Sequence, residues 1–179
     1  MSIDVDATVR ALATGAPQIA STAFIAAGAR VIGDVSIGEN ASIWFNAVVR
    51  ADSASIAIGA RSNVQDNVSM HVDQGKPITI GEDVSIGHNA VVHGCDIGNG
   101  SLIGMGAVVL SGARVGAGCL VAGGAVVLSD ADIPDGSLVA GVPAKVRRPL
   151  NADERAGLQQ NAAAYLRHVV AHEQSLPTR

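Results

Sequence analysis

The chain has 179 residues, 48% of them hydrophobic and only 16% charged, with a net charge of -4; this is enough apolar material for one substantial core and excludes a disordered segment. The acidic balance, the absence of a basic run beyond Lys145, Arg147 and Arg148, and the scarcity of aromatics (Phe24, Trp44, Phe45 and Tyr165) argue against nucleic acid as a partner. The first residues mix Asp4, Asp6 and Arg10 with small apolar residues, unlike a secretory signal, and no stretch reaches membrane-spanning length without a charge or glycine, so a cytoplasmic protein with no membrane partner is expected.

Residues 1–14 read as a separate N-terminal segment. From residue 15 to 148 aliphatic residues recur every six positions in four blocks: Ile19 to Val49, Ile58 to Met70, Ile80 to Val92, and Ile97 to Val139. Neither a helical period of 3.6 residues nor strand alternation yields this pattern, which points to a parallel β-helix solenoid. Each hexapeptide makes one short strand and one turn, with the aliphatic residue inward, and three make a triangular coil. The twenty inward positions then give nearly seven coils, stacked about 4.8 Å apart. The intervals Val49–Ile58 and Met70–Ile80 carry extra residues, expected as loops, whereas Val92–Ile97 is one residue short.

Cys95 and Cys119 lack C-x-x-C spacing and read as buried free thiols. The repeat ends at Gly141-Val142-Pro143-Ala144 and Pro149. Residues 149–179 are expected to form a helix packed on the solenoid: Asn151 caps it with Glu154 as partner, and Leu158, Ala162, Tyr165, Leu166 and Val169 share one face. His168 and His172 fall on what reads as its solvated side.

Register turns the remaining histidines into geometry. Arg50, His71 and His93 each follow an inward residue of the same face, so they form one outer column on successive coils. His88 belongs to another column, with Phe45, Asp66 and Met105. Three imidazoles leaving a fourth position open suit a catalytic zinc. A single chain points two of them one way and the third elsewhere, so the spacing predicts a metal site shared between subunits of a trimer.

The segments Trp44-Phe45-Asn46-Ala47-Val48-Val49-Arg50-Ala51-Asp52, Asn63-Val64-Gln65-Asp66, His71, Ile86-Gly87-His88, His93-Gly94-Cys95 and Ile103-Gly104-Met105-Gly106 strongly resemble the γ-class carbonic anhydrase family in identity and order. The resemblance implies a left-handed parallel β-helix, a homotrimer, and Zn2+ or Fe2+ at each interface, bound by His71 and His93 of one subunit and His88 of its neighbour. It implies that carbon dioxide and bicarbonate are the substrates. Gln65 matches the glutamine that hydrogen-bonds the activated water, with Asn63 nearby. Arg50 matches the arginine that meets bicarbonate and pairs across the interface with the aspartate at Asp66, and Asp52 matches an aspartate of the trimer contact network. Without the resemblance, Arg50, Asp52 and Asp66 read as interface salt bridges.

The chain departs from the active archaeal members, which carry a glutamate where Ser53 stands and a longer acidic loop after the first histidine. Asp73 is a candidate substitute for the missing proton shuttle, although its place suits a simple turn residue. Tyr165 resembles a tyrosine that some members hold near the metal, and helix register makes it equally a packing residue. Three other functions remain open: a metal-dependent acyl-thioester hydrolase, a hexapeptide acyltransferase, and a non-enzymatic assembly module.

Overall fold

The computed structural model describes residues 2–174. The six-residue repeat folds as a parallel β-solenoid of about eight turns followed by a single helix. One face is a ladder of the strands Ser2–Ile3, Phe24–Ile25, Ser42–Ile43, Asn63–Val64, Ser85–Ile86, Leu102–Ile103, Leu120–Val121 and Ser137–Ala140. Its inward residues Ile25, Ile43, Val64, Ile86, Ile103, Val121 and Val139 are all fully buried. Branched aliphatic residues stacked in register fill a narrow prism without large rings, and burying each is worth about 1.5–3 kcal/mol.

The coil count and the N-terminal segment expected from the sequence are corrected here. Ser2–Ile3 pairs in parallel with Phe24–Ile25, and Thr8–Arg10 pairs with Arg30–Ile32, so residues 2–10 begin the first coil, which Gln18–Ile19 completes beside Ser36–Ile37. Ile3 and Val9 continue the six-residue period upstream. A four-residue insertion before Ile19, closed by the antiparallel bridge between Leu12 and Gly15, hides it. The physical reason is pairing: these strands satisfy the backbone groups of the next rung, and Ile3 packs against the core. At the other end Lys145–Pro149 folds back antiparallel on Ser137–Ala140 and stops the ladder.

The two insertions behave differently. The residues between Met70 and Ile80 leave the coil as a short loop closed by the bridge from Asp73 to Lys76. Those between Val49 and Ile58 form no loop. Val48–Ile58 is one continuous strand beside Arg30–Ile37, and the surplus is absorbed as a register shift opposite Gly33 and Val35. Both strands run through a corner of the prism, which merges two faces into one hydrogen-bonded sheet.

Many positions two before an inward residue are small and also buried, among them Ala23, Ala41, Ala47, Ala90, Ala107 and Ala125. Cys95 and Cys119 occupy slots of this kind and are buried free thiols, as expected. Burial pushes the Cys95 thiol up to about 12 and raises that of Cys119.

The C-terminal helix spans Ala152–Glu173. Its capping box is complete: the Glu154 backbone N–H donates to Asn151 Oδ1 at 2.8 Å, and the Asn151 N–H donates to Glu154 Oε2 at 2.9 Å. Leu158 and Ala162 are buried, and Tyr165 sets its ring edge-on to Trp44 with centroids 5.4 Å apart. His172 also packs on Trp44, at 5.1 Å, and is not on a solvated face as the sequence suggested. Trp44, flanked by Phe24 and Phe45, receives both Tyr165 and His172 from the helix.

Candidate metal centre

Parallel pairing sets Arg50 beside His71 and His71 beside His93 on the strands Val48–Ile58, Ser69–His71 and Val91–His93. One rung of separation brings His71 Nδ1 to 3.0 Å from His93 Nε2. Two nitrogens bound to one tetrahedral zinc at 2.0–2.1 Å stand about 3.3 Å apart, so the rings already lie close to a chelating arrangement.

The outer nitrogens decide what faces inward. His71 Nε2 lies 2.9 Å from Asp52 Oδ1, and an ionised carboxylate only accepts, so this nitrogen carries the proton. His93 Nδ1 lies 2.9 Å from Ser111 Oγ, which also lies 2.9 Å from Asp73 Oδ2. The single hydroxyl proton satisfies both contacts only if Ser111 donates to Asp73 and accepts from His93 Nδ1–H. Neutral His71 and His93 therefore turn two lone pairs toward each other across 3.0 Å. Such a pair repels unless a proton or a metal cation lies between them.

His88 stands at a different corner. The next residue, Asn89, has φ of 59°, a left-handed turn that asparagine tolerates, and Asn46 and Asn67 occupy the equivalent corners of the two preceding coils with the same φ. His88 Nδ1 lies 3.1 Å from Asp66 Oδ2, an ion-pair contact rather than an aligned hydrogen bond. Its Nε2 faces the Tyr165 hydroxyl at 3.3 Å. Burial, with Asp66 adding to it, pushes the Tyr165 phenol up to about 12, so a protonated phenol stands against His88 Nε2. His71 and His93 thus each have one nitrogen committed to an outer hydrogen-bond partner and the other turned into the pair, which is how metal-binding imidazoles are prepared, whereas His88 holds Nδ1 beside Asp66 and Nε2 against the Tyr165 hydroxyl.

The structure gathers the site residues of the sequence analysis into two groups. The first holds Arg50, Asp52, His71, His93 and Asp73. Partial desolvation works to raise the Asp52 pKa, but hydrogen bonds from His71 and Arg50 outweigh it and hold the carboxyl below its usual range. Arg50 pairs with Asp52 within the chain. The second group holds Asn63, Gln65, Asp66, His88 and Tyr165. Gln65 Oε1 accepts from the His88 backbone N–H at 3.1 Å, and Gln65 Nε2 donates to Asn63 Oδ1 at 3.0 Å. Asp66 Oδ1 accepts from the Phe45 N–H at 3.1 Å. Asp73 both turns the loop, accepting the Lys76 N–H at 3.0 Å, and reaches His93 through Ser111. Among the described residues of one chain, no three histidine, cysteine or carboxylate side chains converge on a common metal position.

Two residues escaped the sequence reading. Ser111 stands one coil beyond Gly94 in the column two residues after the inward positions Val92 and Val109, so the same arithmetic that paired His71 with His93 would have found it. Asn161, one helical turn before Tyr165, has a buried carboxamide oxygen without a hydrogen-bond partner. No sequence signal distinguishes it. It lines a cleft of about 390 Å³ together with Gln65, His88, Tyr165 and the apolar residues Leu102, Met105 and Leu120. Among the described residues no helix is long and apolar enough to cross a membrane.

Comparison with known proteins places the chain among hexapeptide-repeat relatives. The family described as "Bacterial transferase hexapeptide (six repeats)" matches residues 16–51, 77–111 and 94–129. A Methanocaldococcus jannaschii protein named "Probable carbonic anhydrase" is 48% identical over 150 residues, covering 84% of this chain and 94% of that protein. The mitochondrial gamma carbonic anhydrase 1 of Arabidopsis thaliana is 42% identical over 88% of this chain and 59% of its own length. Among solved structures, a hexapeptide transferase family protein from Anaplasma phagocytophilum superposes with a TM-score of 0.88 at 38% identity, covering 92% of this chain and 97% of that one. The register that stacks His71 on His93 and the extent of these identities lead to one conclusion: the chain belongs to the γ-class carbonic anhydrase family of hexapeptide-repeat proteins.

Proposed function

We propose that the protein is a cytoplasmic, homotrimeric metalloenzyme interconverting carbon dioxide and bicarbonate, with Zn2+ or Fe2+ held by His71 and His93 of one subunit and His88 of the next. The observation that carries this reading is the proton arrangement. His71 and His93 present lone pairs that face each other at 3.0 Å, and one chain does not bring His88 to them. Zinc on three neutral imidazoles lowers the pKa of a coordinated water to about 7 and so supplies a nucleophile at neutral pH.

The surrounding side chains have definable tasks. Asn63 locks the Gln65 carboxamide beside His88, in turn donating to Ser85 Oγ at 2.9 Å, and leaves one Gln65 N–H for the reacting water. Arg50, in the column of His71, supplies a cation for the bicarbonate. Asp52 holds Arg50 and His71 together, and Asp66 holds His88. In the trimer, Arg50 and Asp66 also meet across the interface.

Metal analysis of untagged protein tests the reading. One zinc or iron per chain is expected, lost in His71→Ala and in His88→Ala. Mixing the two variants regenerates interfaces in which one chain supplies His71 and His93 and the other His88, so part of the metal returns. A metal-free trimer overturns the reading.

The cleft beside His88 favours a second function, metal-dependent hydrolysis of an acyl thioester, because about 390 Å³ lined by Leu102, Met105 and Leu120 exceeds what carbon dioxide needs. Stopped-flow hydration assays run beside a thioester screen separate the two. Thioester turnover without hydration replaces the first reading by the second.

A further inference from the structure

We propose that Ser111, anchored by Asp73, is the positioning residue that makes His93 a metal ligand: it holds the imidazole as the Nδ1–H tautomer and so aims the Nε2 lone pair at the metal. This role rests on the metal centre proposed above and concerns how the chain prepares it. His71 and His88 touch their carboxylates directly, at 2.9 Å to Asp52 and 3.1 Å to Asp66. His93 does not. Its Nδ1 stands 3.6 Å from Asp73 Oδ2, beyond hydrogen-bond reach, and the Ser111 hydroxyl bridges the gap with two contacts of 2.9 Å.

The direction of the bridge matters because a free histidine side chain favours the opposite tautomer. With the proton on Nε2, His93 would donate across 3.0 Å to His71 Nδ1 and close the pair as a hydrogen bond, consuming both positions a cation needs. Asp73 prevents this by taking the only proton of Ser111, which leaves the hydroxyl an acceptor toward His93. The backbone is shaped for it. Gly94 has φ of +53°, and a Cβ there would lie 3.0 Å from Lys76 Cβ and 3.1 Å from Ser111 Oγ, so glycine lets the Asp73 loop and Ser111 close around His93.

The test uses the full-length protein, with trimer mass and far-ultraviolet circular dichroism checked for every variant. Zinc affinity is measured by chelator competition for wild type, Ser111→Ala, Ser111→Thr, Asp73→Ala and the double alanine variant. The two single alanine changes are expected to weaken zinc binding about 10- to 100-fold. The double variant should be no weaker than Ser111→Ala, because the two residues form one path, and threonine, which keeps the hydroxyl, should bind near the wild-type value. Independently of metal, long-range 15N–1H spectra of the apoprotein should place the His93 proton on Nδ1 in wild type and move it to Nε2 in Ser111→Ala. Zinc binding that is strong in wild type and unchanged in Ser111→Ala overturns this role alone. Failure of the wild type to bind zinc overturns the metal reading on which the role depends.

Discussion

Tyr165 and Trp44 meet edge to face with ring centroids 5.4 Å apart, and this contact fixes the C-terminal helix to the solenoid at the height where the Tyr165 hydroxyl reaches His88 Nε2 at 3.3 Å. One residue thus joins a packing role to a site role, and substitution separates them. Tyr165→Phe keeps the ring and should leave the melting temperature near wild type while lowering carbon dioxide hydration. Tyr165→Leu should in addition lose about 0.5–1.5 kcal/mol for the aromatic pair. If the phenylalanine variant hydrates carbon dioxide as fast as wild type, the hydroxyl has no part in the chemistry.

A metal shared between chains, as proposed above, would stabilise a folded trimer and would have no preformed site in the unfolded chain. Chelation should therefore lower the melting temperature, and readdition of zinc should restore it. Free metal at 100 times its dissociation constant contributes about 2.7 kcal/mol per site. A melting temperature that ignores chelator, under conditions where metal analysis shows the ion removed, would count against ligands that bridge subunits.

Cys95 and Cys119 should resist thiol reagents in the native protein and react fully once it is unfolded in guanidinium. Burial raises the Cys95 pKa from 9.0 to about 12, so the folded state holds a proton that the unfolded chain releases near 9. The associated stability is complete below pH 9 and is lost as pH rises toward about 12. Native labelling at pH 8 would contradict the buried placement.

Asn151→Ala removes the helix cap and should cost about 1 kcal/mol. The hydrogen bonds from Arg148, followed by the Asn151 backbone N–H, bring Glu154 down from 4.5 to about 2. Because the folded pKa is the lower one, this support is complete above pH 4.5 and disappears as pH falls toward about 2. Melting curves of wild type and Glu154→Gln should therefore converge over that range.

Much of this was legible along the chain because a six-residue period ties sequence distance to position. Val49, Met70 and Val92 turn inward on one face, and the residues after them, Arg50, His71 and His93, pair in exactly that order. The same rule failed where insertions broke it. Ile3 and Val9 carry the period into the first coil, but the four residues closed by Leu12 and Gly15 concealed the continuity. The surplus between Val49 and Ile58 looked like a loop because counting residues does not distinguish an excursion from a register shift inside a paired strand.

The hexapeptide repeat by itself determined the solenoid, its buried aliphatic stacks, the column of His71 and His93 and the separation of His88 from them, since each depends only on which residues recur at which spacing. Tertiary structure alone decided how the imidazoles are held. Asp52, Ser111 with Asp73, and Asp66 with Tyr165 reach their histidines from other coils, a loop and the terminal helix, and hydrogen-bond direction depends on distances of 2.9 to 3.3 Å that no period encodes.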